Sequence, residues 1–115
     1  MTATRTDLTL AVLEKLYVAR AGETVHAEDA AVALRIIDRR TEYLRDKELA
    51  YWANDEIPDG IVDPLAEYLT FYFAPVFVPE EDETKFYNRS QLGLKDMRET
   101  LAKRSQGASV QVDYF

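Results

Sequence analysis

The sequence contains no cysteine and one histidine, His26. The first absence excludes a disulfide scaffold, a thiolate zinc site and a cysteine nucleophile. The second excludes a metal site built from several histidines. Glycine is scarce, with four residues at positions 22, 60, 93 and 107, too scattered to form a phosphate-cradling loop. Ser90, Ser105 and Ser109 lie far along the chain from His26, and none sits in a nucleophile elbow. No apolar run approaches the roughly eighteen residues that span a bilayer. Residues 1–7 have no hydrophobic signal-peptide core, so the expected place is the cytoplasm, or wherever a cytoplasmically made assembly ends up, with no membrane association.

Basic residues are missing from one whole stretch. Residues 1–47 carry eight basic and eight acidic side chains, residues 48–84 carry ten acidic and no basic ones, and residues 85–115 carry six basic and three acidic, for a net charge of −7. A segment this acidic is a poor nucleic-acid groove. It suits a solvated face, or a surface that meets a polyanion without adhering to it.

What is present describes a small helical domain. The 115 residues are 47% hydrophobic and 30% charged, a globular composition. The size suffices for one core. Leu10, Leu13, Leu16 and Tyr17 share a helical face over 7–19, with Thr6 as the expected N-cap. Ala27, Ala30, Leu34, Ile37, Thr41 and Leu44 predict a long central helix from about 27 to 51, with His26 just before it and Arg35, Arg39, Arg40 and Arg45 on its other face. A third helix follows the turn-rich 54–60 segment and ends at Ala74-Pro75. Its apolar residues, among them Ile61, Leu65, Tyr68, Leu69, Phe71, Tyr72 and Phe73, cover more than one face, which suggests burial by a neighbouring subunit as well as by its own domain. Pro64 either starts this helix or sits within irregular first turns. A fourth helix is expected from 83 to 104, with Phe86 or Tyr87, Ser90, Leu94, Met97 and Leu101 facing inward.

The last residues differ. Val110, Val112 and Tyr114 alternate with Gln111 and Asp113 at a strand period. With no other clear strand in the chain, such a tail either pairs with another chain by strand addition or packs its last aromatics on its own domain. The sequence therefore reads as all-α: a four-helix domain over 1–106 and an extended, strand-like C-terminal arm over 107–115.

No catalytic constellation emerges, and no catalytic, cofactor-binding or metal-binding residue is assigned. Glu80-Glu81-Asp82-Glu83 lacks the glycine and alternating ligand spacing of a calcium loop. The candidate site residues are interface residues: Phe71 and Tyr72 on the third helix, and Val110, Val112, Tyr114 and Phe115 in the arm.

The order of features resembles a known family. Leu16-Tyr17-Val18-Ala19 leads to Val25-His26-Ala27-Glu28-Asp29-Ala30-Ala31-Val32-Ala33-Leu34. Tyr51-Trp52, Ile57-Pro58-Asp59-Gly60 and Leu65-Ala66-Glu67-Tyr68-Leu69 then run into Phe73-Ala74-Pro75. This resembles the head-to-tail adaptor (connector) proteins of tailed bacteriophages, especially the tail accessory factor class of short-tailed phages. The likeness covers residues 7–78, and the remainder by order of elements alone. It implies a structural virion protein and not an enzyme, with no cofactor. It also implies a dodecameric homo-oligomer ring beneath the portal protein, joining the DNA-filled capsid to the tail. Neighbouring copies, the portal and downstream tail or connector proteins would be its partners, and genomic DNA would pass through the ring without specific binding. The C-terminal segment would reach the portal or a neighbouring copy. The competing reading is a small acidic helical module that docks a protein partner in a regulatory role.

Overall fold

A computed structural model of the chain describes residues 2–17 and 25–113, with side chains as far as Lys103. The architecture is all-α, with four helices: α1 (Arg5–Lys15), α2 (Ala27–Asp46), α3 (Asp59–Phe77) and α4 (Glu83–Asp113). Two short strands, β1 (Thr2–Ala3) and β2 (Ile57–Pro58), pair antiparallel, with Ala3 opposite Ile57. They tie the N-terminus to the start of α3.

α1 begins two residues earlier than the pattern suggests. Thr4, not Thr6, is its N-cap, and Thr4 and Asp7 form a reciprocal capping box. The box wins because Asp7 stands three residues after Thr4 and answers its backbone N–H at 3.0 Å. α2 also ends earlier than expected, at Asp46. The Leu49 N–H donates to the Leu44 carbonyl and the Glu48 N–H to that of Arg45, with Glu48 at φ 60°. This is a Schellman stop without glycine. His26 occupies the N-cap position of α2 but makes no side-chain cap bond.

α3 is the central element. Both Pro64 and Pro75 lie inside it, so the helix continues past Ala74-Pro75 to Phe77. Each proline forgoes one backbone bond. Helices packed around α3 hold it in place. Tyr68, Leu69 and Phe73 are buried by α1, α2 and α4 of the same chain, so most of its wide apolar surface needs no neighbouring subunit.

α4 crosses α3 at Gly93. A β-carbon there would lie 2.4 Å from the Pro64 carbonyl oxygen and 2.7 Å from the Tyr68 nitrogen, so the two backbones touch only because position 93 has no side chain. Beside the crossing, the buried Ser90 hydroxyl donates to the Tyr68 carbonyl at 2.7 Å. Phe86 and Met97 complete the α4 core face.

The boundary expected at residue 107 is not present. α4 runs unbroken from Glu83 to Asp113, so the backbone of 107–113 is helical and not an extended arm. An isolated strand would leave its backbone groups without partners. Extending an already nucleated helix satisfies them one residue at a time. Tyr114 and Phe115 lie outside the described residues, as do residues 18–19 at the expected end of the first helix. The molecule is elongated, 55 × 28 × 25 Å, and its 7511 Å² of surface exceeds the roughly 6,400 Å² of a compact chain of this mass.

Two charged clusters fasten the helices. The Arg5 guanidinium meets Asp55 and Asp38, which joins α1 to α2 and to the segment before β2. Hydrogen bonds from the Arg5 side chain and backbone hold the Asp55 carboxyl below its usual range. On the other side, Glu67 of α3 receives Arg89 of α4 at 2.8 Å and Lys15 of α1 at 3.1 Å. Arg89 also donates to the Lys15 carbonyl at the end of α1.

Candidate docking groove between α2 and α3

The helices α2 and α3 leave an open groove of about 400 Å³ lined by Val32, Arg35, Ile36, Arg39, Arg40, Tyr72 and Val76. It follows from the spacing of α2. The core stripe of that helix is Ala33, Ile37, Thr41 and Leu44. Val32 and Ile36 lie one position off that stripe, at the helix edge, with Arg35 and Arg39 beside them. An apolar floor with a cationic rim results.

Arg40 organises the groove. It donates to the buried Tyr68 hydroxyl through Nη2 at 2.6 Å and Nε at 3.2 Å. Its guanidinium lies 4.1 Å from the centre of the Tyr72 ring and 4.4 Å from that of Tyr43, within cation–π range of both. Burial pushes the Tyr68 hydroxyl up to about 12, against the opposing pull of Arg40 and with a further push from Tyr72. The hydroxyl therefore stays protonated and serves as a neutral acceptor. Arg35 and Arg39 are exposed and make no ion pair with the described residues.

Aromatic surface continues from the groove toward α4. Phe71 meets the Tyr72 ring edge-on at 5.3 Å and the Tyr87 ring at 5.5 Å. Tyr87, Tyr43 and Val76 are each about half exposed. A shallower recess lies between Phe71, Glu83, Thr84 and Tyr87.

Of the interface residues expected from sequence, Phe71 and Tyr72 are half-buried neighbours on this surface. Val110 and Val112 belong to the last turns of α4, so the strand pairing expected of them is replaced by helix. Tyr114 and Phe115 lie outside the described residues. The arginines of the groove were legible only as the polar face of α2. The signal that marks them is Val32 and Ile36 at the i, i+4 step beside Arg35 and Arg39, an apolar pair that the core stripe does not use.

Among the described residues no group of three His, Asp or Glu side chains could hold a metal ion, and no helix is long and apolar enough to cross a membrane. The resolved pKa shifts belong to the helix-fastening ion pairs and to Tyr68. The arrangement can hold a protein segment or an anion. Its lining residues include no serine, threonine, lysine or carboxylate.

The chain matches no protein-family model, no curated protein and no solved structure.

Proposed function

We propose that this chain is a structural assembly protein of a tailed-phage virion, a head-to-tail adaptor that sits as a ring under the portal protein and links it to the tail. The reading rests on the sequence resemblance, and one structural observation supports it. Among the residues whose side chains are described, which end at Lys103, Met97 is the last fully buried one on α4, and the helix backbone continues from there to Asp113, an advance of about 24 Å. A helix whose backbone runs this far past the last buried side chain described suits contact with a second body. The role is structural and non-enzymatic. Partners in this reading are the portal, neighbouring copies in a closed ring, taken as twelve from the resemblance, and a downstream tail or connector protein. Genomic DNA passes the ring without specific binding, in keeping with ten carboxylates and no cation over 48–84. The chain's place is then the neck of the virion.

The groove suits a second reading as well, a small acidic helical module that docks one protein partner. Gene disruption in the phage that carries the chain separates the two. The adaptor reading expects DNA-packed heads without tails, whereas complete, infectious particles would overturn it.

A further inference from the structure

Three features attract attention outside the helix-fastening clusters: the α2–α3 groove, the acidic loop between α3 and α4, and the exposed Leu92 on the outer side of α4. The first two are complementary. Arg35 and Arg39 rim the groove without an ion pair among the described residues. In the loop, Glu81 pairs with Lys85 at 3.0 Å and Asp82 accepts from the Thr84 N–H at 2.9 Å. Glu80 and Glu83 have no ion pair among the described residues, and Pro79 is exposed beside them. The unmatched cations and the unmatched carboxylates thus belong to two different segments of one chain, α2 and the connection from α3 to α4.

We propose that the groove of one copy receives the Pro79–Glu83 loop of a second copy, with Glu80 and Glu83 meeting Arg35 and Arg39 and Pro79 resting on Val32, Ile36 and Val76. A groove of about 400 Å³ accommodates a turn of chain and not a broad face. Its three arginines fit a short acidic segment better than a long polyanion, which the carboxylates of 48–84 would repel. The contact joins two unlike surfaces and is therefore heterologous, so it can repeat from copy to copy. A few solvent-screened ion pairs make it weak in isolation. It becomes effective where an assembly holds copies side by side. In that respect it rests on the adaptor reading and names the partner of the groove.

The test is a titration of the isotope-labelled full chain with a synthetic peptide of residues 76–85, followed by amide NMR shifts at low salt. The expected result is a saturable shift at Arg35, Arg39, Tyr72 and Val76. Binding should weaken at least about tenfold on an Arg35→Glu/Arg39→Glu chain whose other amides are unmoved. A peptide carrying Glu80→Lys and Glu83→Lys should bind that reversed chain and not the original. No groove shift at about 2 mM peptide, or shifts indifferent to the charge reversal, would overturn the proposal. Tighter binding of inorganic phosphate or a single-stranded oligonucleotide at the same amides would also overturn it, in favour of an anion site. Failure here leaves portal binding, a separate measurement, untouched.

Discussion

Arg40 donates to the Tyr68 hydroxyl at 2.6 Å while its guanidinium covers the Tyr72 ring at 4.1 Å. One side chain thereby links α2 to the most buried tyrosine of α3 and shapes the wall of the groove. Tyr68→Phe removes the acceptor and should cost about 1–2 kcal/mol in urea unfolding. The pH dependence has a definite sign. Burial raises the folded-state value to about 12, above the ordinary value of about 10. The contribution is full below about pH 10 and is lost as pH rises toward about 12. Phenolate absorbance should show one tyrosine ionising only with unfolding, and Tyr68→Phe should remove that late component.

At Gly93 the backbones of α3 and α4 pack directly against each other. Gly93→Ala should destabilise by about 1–3 kcal/mol, because the obstructing atoms are backbone and cannot rotate away. Gly60→Ala supplies the control. Nothing lies within 4 Å of a β-carbon there, so the change should be neutral or stabilising by up to about 1 kcal/mol. Thermal unfolding of the two variants should therefore shift in opposite directions or by clearly unequal amounts.

Glu67 receives both Arg89 and Lys15. Burial opposes its ionisation, but the hydrogen bonds from Arg89 and Lys15 outweigh that and hold the carboxyl below its usual range. Its stabilisation is therefore present above the ordinary carboxylate value of about 4.3 and fades as pH falls through the lower folded value. Glu67→Gln should cost about 1–2 kcal/mol at neutral pH, after allowance for its partial exposure. Urea midpoints of variant and parent should converge as the pH falls below the ordinary carboxylate range.

Glu48 closes α2 at φ 60°, a conformation that glycine adopts freely. Glu48→Gly should stabilise by about 0.5–1 kcal/mol, the left-handed strain relieved less the added freedom of the unfolded chain. A lowered melting temperature would show that the Glu48 side chain does more than end the helix.

Four helices and much of the inward faces of α2, α3 and α4 were legible because periodicity reports burial directly, whereas on α1 the expected face included Tyr17, which is exposed, and lacked Leu8 and Val12, which are buried. Ile37, Thr41 and Leu44 in α2 and Ser90 and Met97 in α4 fall where the 3.6-residue repeat puts them. Helix ends were less legible. Glu48 and Tyr17 hold left-handed stops without glycine, and tertiary packing carries α3 through Pro75. The two-residue pairing of Thr2–Ala3 with Ile57–Pro58 is too short to leave a pattern.

The tail shows how a true local signal loses. The alternation of Val110 and Val112 is a strand period, yet continuing α4 satisfies the backbone at once. The groove was half legible: Phe71 and Tyr72 stood out as apolar excess on α3. The arginines that line it come from α2, and their signal, the apolar pair Val32 and Ile36 beside Arg35 and Arg39, shows only once the core stripe is known.

Sedimentation of the purified chain with and without portal rings of the same phage tests the adaptor reading most directly. The account predicts a small species alone at micromolar concentration, since the chain has no long heptad seam to drive self-association, and its co-sedimentation in many copies with the portal ring. Truncation after Lys103 keeps every buried side chain among the described residues and should leave the melting temperature nearly unchanged while abolishing that co-sedimentation. A full-length chain that stays free of portal rings at tens of micromolar would contradict the account.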